Sequence, residues 1–150
     1  KAVELFASGS FLINTGLSRS ATQVLTKVKS DNKNEELLID LLEIAQDFLK
    51  SSQKLEVNDI LKRLEDSIKS SWEIKKSIKG VMNNELIEIE DFINSNNFNV
   101  YKLLGAGAGG YFLAKYNGQN LNQDINNLLI KGLEVKNTEI DNKGCELWKI

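Results

Sequence analysis

The sequence predicts an α+β domain, a small, mostly antiparallel sheet covered by four to five helices. Strand-like apolar runs lie towards the two ends of the chain, and the middle third reads as helix throughout. A glycine-rich stretch, Gly105-Ala106-Gly107-Ala108-Gly109-Gly110, joins two further strand-like runs. At 150 residues the chain has the length of one domain with a real core, residues 1–150. No internal repeat or low-complexity linker divides it.

Val3 to Phe6 is a short strand candidate, Ser8-Gly9-Ser10 a turn, and Phe11 to Asn14 a second strand ended by Thr15-Gly16. Leu17, Ala21, Val24, Leu25 and Val28 recur at helical spacing, and Ser30 to Asn34 reads as a loop. Glu35 to Lys50 is the clearest helix. Asn34 is its expected cap, and Leu38, Leu41, Leu42, Ala45, Phe48 and Leu49 form its expected buried stripe. After a loop from Ser51 to Glu56, a third helix carries Val57, Leu61, Leu64, Ile68 and Trp72 inward and ends near Gly80. Lys75 and Lys76 are read there as a solvated face. Glu85 to Ser95 is a fourth helix, with Leu86, Ile89 and Ile93 as its stripe.

Val100 to Leu104 enters the glycine loop as a strand and Tyr111 to Tyr116 leaves it as another, both rich in Val, Tyr, Phe and Leu. Asn117-Gly118 is a turn, Gln119 to Lys131 a helix closed by Gly132, and Leu133 to Asn137 a strand. A last strand is expected from Cys145 to Ile150.

Composition excludes several functions. A net charge of −2, with scattered basic residues, makes no electrostatic case for nucleic acid or an anionic membrane. No apolar run approaches the ~20 residues of a membrane span. Histidine is absent and Cys145 is the only cysteine, so imidazole bases, Ser-His-Asp triads, disulfides and thiolate metal clusters are excluded within the chain. No metal-ligating set is expected here. The single cysteine and the lack of a visible signal peptide suit the cytoplasm. A start at Lys1 leads to the expectation of a piece cut from something longer.

Glycine loses the most backbone entropy on folding, so a cluster of four serves positive φ or a close approach. Exposed N–H groups in such a loop make an anion cradle, although a tight turn between strands is the plainer explanation. Gly105, Gly107 and Gly110 also satisfy the dinucleotide pattern G-x-G-x-x-G. That pattern needs a helix directly after it, whereas Tyr111 to Tyr116 reads as strand, so a redox dinucleotide domain is disfavoured.

Three stretches taken together say more than the loop alone. They are Ile13-Asn14-Thr15-Gly16-Leu17-Ser18-Arg19-Ser20-Ala21; Ser71-Trp72-Glu73-Ile74-Lys75-Lys76-Ser77-Ile78 with Val81-Met82-Asn83-Asn84-Glu85; and Lys102-Leu103-Leu104 with the loop through Phe112. In this order they resemble the C-terminal domain of the GHMP sugar kinases, nearest to the D-glycero-D-manno-heptose 7-phosphate kinase branch. The resemblance covers most of residues 11 to 116. It implies a ferredoxin-like arrangement of the sheet and ATP-dependent phosphorylation of a sugar or sugar-phosphate hydroxyl. It also implies that Gly105, Ala106, Gly107, Ala108, Gly109 and Gly110 lie beside the nucleotide phosphates, with the N–H groups of Gly107 to Gly110 holding developing charge. Thr15 and Gly16 would line the sugar side of the cleft, and Arg19 would bind the substrate's phosphate.

The family's main phosphate loop, its acidic residue for magnesium and its assisting lysine belong to an N-terminal domain that this sequence does not show. ATP and Mg2+ would be bound mainly there, no catalytic residue is assigned to this chain, and the chain alone is expected to be inactive. An apolar face exposed towards that domain would favour dimers. The alternative is a stand-alone, non-catalytic metabolite-binding or regulatory module of the same fold.

Overall fold

The computed structural model describes residues 1–18, 22, 26 and 33–141. The elements run α1 (Ala2–Ala7), β1 (Ser10–Asn14), α2 (Lys33–Ser51), α3 (Val57–Ser77), α4 (Asn84–Ser95), β2 (Phe98–Leu103), β3 (Tyr111–Tyr116), α5 (Leu121–Ile130) and β4 (Glu134–Asn137), with a 3-10 turn at Ser52–Lys54. The four strands form one sheet in the order β2-β3-β1-β4, and every neighbouring pair is antiparallel. Each helical connection, β1 to β2 and β3 to β4, therefore joins two parallel strands with one strand lying between them, the split β-α-β arrangement of a ferredoxin-like fold. The predicted α+β class is the observed one.

Burial alternates along the strands as the pleat requires. Phe112 and Ala114 of β3 and Phe11 and Ile13 of β1 are buried, and they share one core cluster with Phe98 and Leu103 of β2. Helices add Trp72, Leu86, Ile93 and Leu128 to the same cluster. Phe112 meets Trp72 edge to face, ring centroids 5.8 Å apart, and Phe11 meets Phe98 in the same way at 5.5 Å. The Trp72 indole N–H donates to Glu90 at 2.8 Å, so the largest core side chain leaves no polar atom orphaned.

Four expectations are corrected. Residues 3 to 6 are helical: a short apolar run does not by itself separate strand from helix, and here Phe6 packs edge to face on Tyr101 at 5.8 Å while Val3 and Leu5 stay exposed. Asn34 lies inside α2, and its Oδ1 accepts from the Lys79 N–H at 3.3 Å. Leu38, Leu42, Ala45 and Leu49 of α2 are exposed, because α2 packs through Leu37 and Leu41 against the core and mainly along α3. Lys75 is not on a solvated face, as described below. The helix expected from Leu17 is outside the described residues except at Leu17, Ser18, Thr22 and Thr26, and the strand from Cys145 lies outside them too.

Local signals explain the remaining boundaries. Asn83 caps α4 by accepting from the Leu86 N–H at 2.8 Å, and Asn120 caps α5 by accepting from Gln123 N–H at 3.3 Å. Tyr116 and Asn97 both donate to the buried Asp124, at 2.8 and 3.0 Å, tying β3 and the turn before β2 to α5.

Candidate functional site

The glycine loop spans the gap between β2 and β3. Its neck is closed by Leu104 N–H donating to the Tyr111 carbonyl at 2.8 Å. Between them Gly105, Gly107, Ala108, Gly109 and Gly110 all have positive φ, from 60° at Ala108 to 152° at Gly109. A run of such residues excludes both helix and strand and turns backbone N–H groups out of any ladder.

Two neighbours hold the loop by close approach. Ala108 N–H donates to the Val81 carbonyl at 2.8 Å, and a Cβ on Gly107 would sit 2.9 Å from Val81 Cα. On the other side Gly110 N–H donates to the Leu17 carbonyl at 3.1 Å, and a Cβ on Gly109 would lie 2.5 Å from that oxygen. The glycines are therefore required by contact as well as by φ. Loss of the side chain brings together the segment after β1, the turn before α4 and the β2–β3 connection, the three stretches whose order the sequence singles out.

Thr15 is the staple between β1 and the loop. Its hydroxyl donates to the Gly110 carbonyl at 2.8 Å and accepts from Gly110 N–H at 3.1 Å and Leu17 N–H at 3.2 Å. One donor and two lone pairs are thereby all engaged, and the residue is buried. Thr15 positions the loop, and its hydroxyl has no hydrogen-bonding capacity left for a ligand. Gly16, next to it, is exposed with φ of 68° and nothing within 4 Å of its Cβ position. Arg19 lies outside the described residues.

Of the loop N–H groups, those of Ala108 and Gly110 are engaged internally, while those of Gly105, Ala106, Gly107 and Gly109 have no partner among the described residues. These unpaired donors, in a loop whose shape is imposed from both sides, fit an anion such as a phosphate oxygen. No group of three acidic, cysteine or histidine side chains able to hold a metal occurs among the described residues. No described helix is long and apolar enough to cross a membrane.

Lys75, missed from the sequence, belongs to this site. It sits in the last turn of α3, and its ammonium donates to the Leu103 carbonyl at 2.8 Å and the Gly105 carbonyl at 2.7 Å. Burial, with the Lys102 cation nearby, holds its pKa down to about 8. The signal was available: Ile68, Trp72 and Lys75 fall at i, i+4 and i+7, so the buried stripe of α3 runs directly into this lysine. Lys76 differs, with its ammonium 2.7 Å from Glu73, 3.6 Å from Glu90 and above the Trp72 ring. A groove of about 790 Å³ lies elsewhere, between α2 and α3, and is lined by charged residues such as Asp47, Asp59, Arg63 and Asp66.

Neither family models nor curated proteins give a match to this sequence. Among solved structures the chain is similar to L. major mevalonate kinase in complex with R-mevalonate, with a TM-score of 0.57 and 18% identity. The likeness covers 81% of this chain and 38% of that one, so the chain spans well under half of the length of the enzyme it matches. At this identity the likeness shows the fold. It is an α+β fold shared with part of that enzyme.

Proposed function

We propose that this chain is the substrate-side domain of an ATP-dependent small-molecule kinase of the GHMP type. Its glycine loop lies beside the nucleotide phosphates at the point of phosphoryl transfer. The observation that carries this reading is the loop itself. Five positive-φ residues are wedged between Val81 and Leu17, and the N–H groups of Ala106, Gly107 and Gly109 are left unpaired. Phosphoryl transfer asks of a protein mainly positioning and stabilisation of charge, and fixed backbone N–H groups supply both. ATP would supply the phosphoryl group. Its Mg2+ would be held mainly by the N-terminal domain that the family resemblance implies.

The preferred acceptor is a sugar or sugar phosphate of the heptose 7-phosphate kind. Gly16 borders its side of the cleft and Arg19 pairs with its phosphate. Thr15 acts here by holding Gly110 and not by touching substrate. The fold likeness to a mevalonate-binding kinase supports a small-molecule acceptor. The three sequence stretches, now seen to converge at one loop, support the heptose branch.

The test is a phosphotransfer assay on the native polypeptide that contains this chain, with ATP, Mg2+ and either heptose 7-phosphate or mevalonate. Turnover with the sugar phosphate and not with mevalonate is the expected result. Turnover with mevalonate alone would keep the kinase and overturn the acceptor. Binding of nucleotide or sugar phosphate without any turnover would favour a non-catalytic module.

A further inference from the structure

Lys75 is an unusual lysine for its surroundings. It is more than half buried, and no carboxylate lies within ion-pair distance among the described residues. The charge beside it is a second cation, Lys102. Burying an ammonium without a counter-charge is unfavourable, so the contacts it does make must matter. Those contacts are the Leu103 and Gly105 carbonyls, which flank the residue whose N–H closes the neck of the glycine loop. One ammonium therefore bridges the last residue of β2 and the first positive-φ residue of the loop.

We propose that Lys75 is the positioning residue of the glycine loop. By clamping the Leu103 and Gly105 carbonyls it fixes the form in which the Ala106, Gly107 and Gly109 N–H groups stay unpaired and open to a phosphate. The clamp stands on the two hydrogen bonds, and its service to a phosphate rests on the kinase reading above. An ammonium has three donors, and the third has no partner among the described residues. The same group thus keeps one N–H for an anion arriving at the loop.

The experiment compares amide exchange and inorganic pyrophosphate binding, both followed residue by residue by NMR, in the wild-type chain and in Lys75→Met, Lys75→Arg and Lys76→Met. In Lys75→Met, exchange at Leu104 and Ala108, both protected by loop hydrogen bonds, should speed up by about tenfold or more, as expected for losing bonds to a charged donor. Exchange at the core helix residue Ile93 should stay unchanged. Lys75→Arg, which keeps charge and donors, should restore most of the protection. Lys76→Met should leave the loop untouched while lowering overall stability. If Lys75→Met does not fold, Lys75→Gln, too short to reach both carbonyls, is read in the same way.

Unchanged exchange at Leu104 and Ala108, or an equal acceleration in Lys76→Met, would overturn the clamp. Pyrophosphate should shift the Ala106, Gly107 and Gly109 amides of the wild-type chain and bind about tenfold more weakly to Lys75→Met. Absence of any shift in the wild-type chain would overturn the phosphate reading, and the exchange rates would then decide the clamp separately.

Discussion

Alanine at Gly109 and alanine at Gly105 are the same chemical change in the same loop, yet the structure gives them different costs. Gly109 has φ of 152°, and a Cβ there would stand 2.5 Å from the Leu17 carbonyl oxygen and 2.9 Å from its carbon. Both are backbone atoms, so relief requires moving the segment after β1. That movement also breaks the 3.1 Å bond from Gly110 N–H to the same oxygen. A strained backbone position costs of order 1–3 kcal/mol and a lost hydrogen bond about 1, so Gly109→Ala should destabilise by about 3 kcal/mol. Gly105 has φ of 76° with nothing within 4 Å of its Cβ position, so Gly105→Ala should cost only the left-handed penalty, about 1 kcal/mol. For a chain of this size the difference of about 2 kcal/mol corresponds to about 4–8 °C in Tm, read by thermal unfolding followed by circular dichroism. Two variants melting within about 1 °C of each other would refute the close approach of the loop to Leu17.

Two further outcomes follow from single side chains. Lys75, held down to about 8 from 10.5, leaves the unfolded chain binding more protons than the folded one above pH 8, so stability should rise with pH between about 8 and 10. Tyr101, pushed up to about 12 from 10.0, opposes this only above pH 10. The rise should vanish in Lys75→Met, and equal slopes in the two proteins' Tm profiles would contradict the buried ammonium. Asn83 caps α4 through its oxygen while its buried Nδ2 has no partner among the described residues. Asn83→Ala should therefore cost about 1 kcal/mol in urea unfolding, whereas Asn83→Ser, which keeps the cap and removes the orphan, should be neutral or stabilising.

Sequence patterns specified elements where burial is one-sided and ends are chemically marked. Tyr111 to Tyr116 is a strand at the bounds its composition predicts, and α4 begins one residue from its predicted start because Asn83 supplies a true cap. Patterns misled where tertiary contacts decide. Residues 3 to 6 are too few for a period to show, and Phe6 alone is drawn into the core. The apolar residues of α2 are too many for the area that α3 and the core can cover, so Leu38, Leu42 and Leu49 remain exposed.

At the site, the glycine cluster announced itself through composition, and the approach of Leu17 and Val81 to it did not. Those contacts join residues far apart in the chain, and no local spacing encodes them. The role of Thr15 was hidden for the same reason, since its partners are set by where Gly110 arrives. Lys75 was legible in the helical period but obscured by the adjacent Lys76, which has the exposed ion pairs that a lysine pair suggests. A side chain at Gly107 would stand 2.9 Å from Val81 Cα, so a substitution there harms folding directly.

The bond from Thr15 to Gly110 spans 95 residues. The β2–β3 hairpin can form early, since its strands are neighbours in the chain, but the sheet closes only when β1 docks beside β3. Because closing a long loop is entropically costly, that docking belongs late in folding. Until it happens, Gly110 has neither Thr15 nor Leu17 to fix its peptide, and the cradle has no defined shape. Docking of β1 and the shaping of the loop around Gly110 are thus one event. A partly folded chain offers no half-made cradle, and any ligand that fits the finished loop acts as a brake on unfolding.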